Sequence, residues 1–185
     1  TGYLDNSGYV IADGEGTDRT LDLSGFTSVR NTFDNTAANG ATDTGWFARE
    51  RGKLVLPAVA LAGSGTAYWG EQGDLDLVNA VRIDTAGTNG GSVSIALLAS
   101  NRTDAELEFT TGDLTAIYDV DGSAFDFGSG TMTLTFRYDD VAAAALGLAE
   151  TDLKLWHFAG GAWVDVTASV DTVNKYLTST PLTSL

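Results

Sequence analysis

No cysteine occurs in the chain, and histidine occurs once. Disulfide staples, thiol catalysis and the usual zinc centres, which need thiolates or several imidazoles, are excluded on those grounds. Without disulfides the fold must rest on its core, and 185 residues leave room for a sizeable one. The missing bridges therefore do not argue for a reducing compartment. Only two prolines are present, so no proline-rich linker divides the chain. Basic residues are also scarce, ten against 25 acidic ones, for a net charge of −15. A field of that sign repels phosphate backbones, which argues against nucleic acid as a partner. Apolar runs fall short of the ~20 residues that cross a bilayer as a helix, so no membrane insertion is expected. No signal-peptide pattern is visible, and a start at Thr1 without Met reads as a processed or trimmed product.

What is abundant is glycine, with 22 residues, and aspartate, which supplies 19 of the 25 acids. Both are turn residues, so the acidity is expected at the ends of strands. Apolar residues make up 43% of the chain and charged ones 19%, a folded balance.

Period-two patterns dominate the apolar positions. The cleanest run is "TMTLTFRY", which places Met132, Leu134, Phe136 and Tyr138 on one face. "LDLVNAVRID" puts Leu75, Leu77, Val81 and Ile83 on one side, with Asn79 as an interruption. "SVSIALL" alternates Val93, Ile95 and Leu97 with small residues. "KLVLPAVAL" is apolar on both faces, which suggests a buried strand that is an edge or bends at Pro57, where the N–H is missing. The tail from Leu153 to Leu185 reads as three short strands, each closed by a turn.

Turn signals separate these runs, among them Asn89-Gly90-Gly91, Asp121-Gly122 and Gly160-Gly161. Strands at roughly ten-residue spacing with such turns indicate an all-β fold, an antiparallel β-sandwich or jelly roll. One short connecting helix is expected, where Asp139-Asp140 caps "VAAAALGL" and Gly147 lies near its end. Residues 1–185 are read as a single β-sandwich domain, with an alternative division near residue 112.

Two stretches carry a resemblance. The first is "GKLVLPAVALAGSGTAYWGEQGDLDLVNAVRI" followed by "GSVSIALLAS". The second runs from "FDFGSGTMTLTFRYDD" through "ETDLKLWHFAGGAWVDVT" to "SVDTVNKYLTST". Together they resemble the sandwich module of exported bacterial surface proteins, the kind often carrying a PEP-CTERM-like sorting tail or a dockerin. The resemblance covers half to two thirds of the chain. It implies an exported, non-enzymatic module, extracellular or at the cell surface. In such modules the last hairpin is followed by a closing strand, whereas this sequence stops at "TSTPLTSL". An open edge is therefore expected at Tyr176, Leu177, Leu182 and Leu185, and Tyr9, Val10 and Ile11 are the expected donors to such an edge in a neighbour.

Few residues suggest chemistry. His157 lies on an alternating strand with Leu153 and Leu155 on its face, a structural setting. Glu106 and Glu108 share a strand face, as solvated acids or as a glycosidase pair. Asp119, Asp121 and Asp126 surround a glycine turn and offer the hard oxygen ligands that Ca²⁺ takes, although Gly130 stands where an EF-hand needs Glu. Asp13, Glu15 and Asp18 form a second such cluster. Asn101-Arg102-Thr103 matches the N-glycosylation pattern. Trp46, Tyr68, Trp69 and Trp163 are candidates for a flat platform that stacks on sugar rings, whereas Trp156, sharing a face with Phe158, is assigned to the core.

The expectation that follows is a secreted structural protein without catalytic activity. It would self-assemble into a filament, sheath or surface layer by strand complementation between copies. The alternative is a carbohydrate-binding module of an exported protein, with polysaccharide as partner.

Overall fold

The structure is a computed structural model that describes residues 3–7, 9–32, 45–71, 73, 75–100 and 114–185. Glu106, Glu108 and the Asn101 pattern lie outside the described residues. In the first half of the chain the strands are β1 (Tyr3–Ser7), β2 (Tyr9–Asp13), β3 (Arg19–Asp22), β4 (Ser28–Thr32), β5 (Gly45–Arg49), β6 (Gly52–Val55), β7 (Val59–Ala62), β8 (Gly65–Trp69), β9 (Val81–Ala86) and β10 (Gly90–Leu98). The second half holds β11 (Ile117–Asp121), β12 (Phe125–Asp126) and β13 (Thr131–Arg137). Helix α1 (Asp140–Ala145) and a 3₁₀ turn (Glu150–Asp152) follow, and then β14 (Trp156–Ala159), β15 (Ala162–Asp165), β16 (Thr167–Asp171) and β17 (Tyr176–Ser179). The all-β sandwich expected from the alternation is present.

Two main sheets enclose one core. The first has the order β11-β10-β6-β3, with β7 and β12 flanking the first half of β10. The second has the order β16-β17-β13-β9-β8. Val93, Ile95 and Leu97 of β10 meet Val81, Ile83, Met132, Leu134 and Phe136 of β9 and β13 in a single buried cluster. Each fully buried aliphatic side chain there contributes roughly 1.5–3 kcal/mol. Thr135 departs from the alternation, being buried on the other face, where its hydroxyl lies 3.3 Å from that of Thr178 on β17.

Pro57 does what its missing N–H requires. The run "KLVLPAVAL" breaks into β6 and β7, and the two pieces pair with different halves of β10. Gly91, opposite Leu61 of β7 and Phe125 of β12, takes φ 125°, and a Cβ there would stand 2.1 Å from the Ala124 carbonyl oxygen. Helix α1 also follows its sequence signals, with the Asp139 carboxylate accepting from the Ala142 N–H at 2.8 Å and Gly147 at φ 72°.

Four expectations are corrected. "LDLVNAVRID" is not one strand: Asn79 takes φ 63° and β9 starts only at Val81. The tail forms four strands rather than three. Of these, β17 is interior, flanked by β16 and β13, so Tyr176 and Leu177 are not an open edge. Leu182 exchanges two backbone hydrogen bonds with Met132, and Leu182 and Leu185 both pack half-buried against the core. Tyr9, Val10 and Ile11 have a partner in their own chain: β2 runs parallel to β5, with Tyr9 opposite Gly45, Val10 opposite Trp46 and Ile11 opposite Phe47. Two more parallel ladders, β1 with β4 and β3 with β6, stand beside it in an otherwise antiparallel fold.

Candidate functional site: a groove along β11

Among the described strands, β11 is paired on one side only, through its antiparallel ladder with β10. Alternation directs Tyr118 and Val120 inward and Asp119 and Asp121 outward. Beside β11 lies a groove of about 340 Å³. Its floor is the inner face of the second sheet, with Leu134, Phe136 and Leu177. Leu182 and Leu185 line one part of it, and the hairpin β14–β15 supplies the opposite wall. Among the described residues the groove is thus a section of sandwich core reached along a strand edge.

Tyr118 fixes the position of β11 over that floor. Its ring lies 4.6 Å from that of Phe136, and edge-on to Trp69 at 6.4 Å. Its hydroxyl donates to Asn79, at 3.2 Å to Oδ1. Burial, with Asp139 nearby, raises the Tyr118 hydroxyl pKa, so the group remains a neutral donor. Asn79 in turn donates from Nδ2 to the Trp46 carbonyl at 2.8 Å. The residue that breaks the alternation of its segment is therefore a buried polar link between β5, β11 and the segment before β9.

The hairpin β14–β15 belongs to neither main sheet. Gly160 and Gly161 take φ 61° and 81°, the pair of positive values that a two-residue turn with the right twist demands. Register places Phe158 opposite Trp163 and Trp156 opposite Asp165, so the three aromatic rings share one face. His157 and Val164 share the other. Lys154 binds Asp165 at 2.6 Å and stands 5.8 Å from the Trp156 ring centroid. Asp165 is held down to about 2 by its bond to Lys154, and further by the Thr167 N–H and hydroxyl.

The expected sites fare differently. Trp46 and Trp69 are 0% and 1% exposed and cannot present a ring face to a sugar. They fill the core because β5 and β8 point them inward, and the Trp46 indole N–H is bound to the Gly70 carbonyl at 2.8 Å. Tyr68 is half-buried on β8, and with Trp46 and Trp69 buried the four rings form no platform. Trp156, assigned to the core, is instead 39% exposed, and its neighbour Phe158 is 46% exposed. Alternation tells which residues share a face, not whether that face is covered.

The aspartates of the calcium expectation are used singly. Asp119 pairs with Lys53 at 3.0 Å, Asp121 accepts from the Ser123 N–H at 2.8 Å, and Asp126 accepts from the Gly128 N–H at 2.8 Å. Short Asp side chains bond their own backbone two residues on, which makes turns and needs no cation. In the second cluster Asp13 accepts from the Glu15 N–H, Glu15 pairs with Arg19, and Asp18 pairs with Arg51. Among the described residues no group of three or more His, Cys, Asp or Glu is placed to hold a metal ion.

A separate polar cluster ties the helix region to the sheet. Glu150 accepts from Lys175 Nζ at 2.7 and 2.8 Å and from the Tyr138 hydroxyl. The Lys175 bonds, followed by that of Tyr138, lower the Glu150 pKa, and burial raises that of Tyr138. These groups fasten the 3₁₀ turn to the turn before β17.

Fold and groove together describe an all-β sandwich with an edge-lined cleft. Comparison with family models, with curated proteins and with solved structures returns no match.

Proposed function

We propose that this chain is a non-enzymatic structural subunit, extracellular or at the cell surface, that self-associates by β-strand addition into a filament, sheath or surface layer. The receiving site is the groove along β11. One observation carries the reading: an edge strand with one described partner runs beside core residues of the opposite sheet. An extended segment laid there adds a row of main-chain hydrogen bonds and can insert alternate side chains over Leu134, Phe136 and Leu177. Ordering such a segment costs about 1–2 kcal/mol per residue in backbone entropy, so hydrogen bonds without buried side chains would not suffice. The groove provides for both.

A second copy is the partner assigned. The contrast with the other end of the fold supports a dedicated edge. The edge strand β16 has a register shift between Thr167 and Ser169 and ends in a turn built on Asp171, the devices that discourage further pairing. Copies at −15 repel, so association strengthens as salt screens that charge.

Light scattering across concentration and salt, with negative-stain images, tests the proposal. Wild-type protein is expected to associate, more so at high salt. Ala116→Arg, which fills the groove beside β11, should leave a folded monomer, melting somewhat lower because Ala116 packs half-buried against the core. Leu185→Arg, at the other side of the groove, is expected to give a folded monomer too, with a lower melting temperature because Leu185 packs half-buried against the core. A wild type that stays monomeric throughout, or folded variants that assemble as it does, would overturn the reading.

A further inference from the structure

The stretch "TSTPLTSL", Thr178 to Leu185, lies across one end of the groove and bears on which segment a neighbour inserts there. The ladder of β17 with β13 stops at Thr178, opposite Thr135. The Leu134 N–H is taken instead by the Ser179 hydroxyl at 2.9 Å. Thr180 and Pro181 are exposed, and the Thr180 N–H donates to the Val166 carbonyl at 2.7 Å. Beyond Pro181 the pairing resumes for a single residue, Leu182 with Met132, through bonds of 2.7 and 2.9 Å. Leu185 then lies against Gly122 in the turn after β11, where a Cβ would stand 2.8 Å from its Cδ1. Two backbone bonds and two half-buried leucines thus seat the segment Leu182–Leu185.

We infer that Leu182–Leu185 is the segment exchanged between copies: it leaves its own seat and takes the same seat, on Met132 and Gly122, in a second copy. This rests on the strand-addition reading of the groove and names its donor. The hinge suits exchange. Pro181 has no N–H to leave unpaired, and it holds Thr180 extended. The Val166 bond keeps Thr180 with its own subunit, so the chain turns outward only past that point. The contacts made in the second copy are the ones given up in the first, and the segment is ordered in both states. Exchange therefore avoids the ordering cost that a loose donor would carry. From Leu177 to Leu185 the sequence has no charged residue, so passing it to a neighbour at −15 adds no repulsion. The seat adjoins the end of β11, the strand with one described partner, so a segment from another subunit can enter along that edge. Passed one way, from each copy to the next, the exchange does not close and builds a filament.

The test separates donor from seat. Gly122→Leu fills the place of Leu185 and blocks the seat, while its own donor segment is unchanged. Leu185→Arg spoils the donor and leaves the Gly122 seat open. Each variant alone should stay monomeric by light scattering where the wild type associates. A one-to-one mixture should give a species of twice the monomer mass and nothing larger, because one good donor then meets one open seat. Cysteine supplies a second readout in a chain that has none. A Cβ on Gly122 stands 3.2 Å from the Leu185 Cβ, close to the span that a disulfide bridges. Gly122→Cys mixed with Leu185→Cys under mild oxidation should yield a link between two chains, identified by the mass of the joined peptides, at associating concentrations and not on dilution. Where a bulky variant loses the wild-type melting transition, the cysteine pair decides alone. A wild type that associates while no such link forms overturns the exchange and leaves strand addition with another donor. Folded single variants that assemble by themselves, or a mixture of them that stays monomeric, overturn it as well. A wild type that remains monomeric throughout removes this inference and the strand-addition reading together.

Discussion

Two pairs of tryptophans divide this molecule. Trp46 and Trp69 sit in the cluster between the sheets, whereas Trp156 and Trp163 stand on a hairpin outside them. All four lie on short strands, so strand propensity does not separate them. What separates them is the neighbourhood. β5 and β8 lie over the opposing sheet, and their inward residues have no solvent to face. Among the described residues β14 and β15 pair only with each other, and their aromatic face lines the groove beside β11, which leaves Trp156 39% exposed. Burial of a large ring is decided by the layer above it, and layers are made by pairings distant in sequence. One pair therefore bears on stability, and the other lines the groove beside β11.

The largest effect that tests this contrast is on stability. Trp46→Ala should cost about 3–5 kcal/mol, the range for emptying a core site of an aromatic ring. Trp156→Ala should cost less than about 1 kcal/mol, as for a surface change. Urea unfolding of both variants reads the difference, and equal midpoints would erase the distinction. A smaller effect is expected one bond away from Trp46. Asn79→Ala removes the donor to the Trp46 carbonyl and the partner of Tyr118, leaving buried polar groups unpaired at a cost of about 1–3 kcal/mol. The same unfolding series should rank it between the two tryptophan variants.

The smallest effect lies on the exposed hairpin and depends on pH. Asp165 is held at about 2 in the folded chain against an ordinary 3.8, chiefly by Lys154. A depressed acid stabilises the fold above its unfolded value and loses that contribution as pH falls through the folded one. The Asp165 contribution is thus present above about pH 4 and fades towards pH 2. Glu150 is lowered by Lys175 and adds to the same acid-side loss below its ordinary 4.5. Lys154→Ala should flatten the part of the melting-temperature profile between pH 4 and 2 that belongs to Asp165, by a small amount because the pair is solvated. Unchanged curvature there would assign the acid sensitivity elsewhere, first to Glu150.

Local signals in the sequence were reliable wherever one segment determines its own form. The alternation of Thr131–Arg137, the Asp139 cap, the bend at Pro57 and the Gly160-Gly161 turn all follow from nearest-neighbour physics. Asn79 was visible as an interruption, and its φ of 63° is the reason. What sequence could not reveal depends on partners. The three parallel ladders of β1, β2 and β3 join segments separated by intervening chain, and nothing in "GYVIADG" names Gly45–Arg49 as its neighbour. The tail is expected to be open for want of the closing strand that the resemblance calls for, yet β17 lies between β16 and β13 and leaves β16 at the edge. The groove along β11 is made by five separate parts of the chain, so no local pattern announces it.

β10 has one more consequence, for heredity rather than for binding. It takes β6 and β7 from the earlier half of the chain and β11 and β12 from the later half, while β9 joins β13 across the same divide. A recombination crossover between β10 and β11 would exchange strands of both sheets at once and require three ladders to be matched anew. Genes for such chains can shuffle this sandwich as one cassette but cannot graft half of it onto half of a diverged cousin.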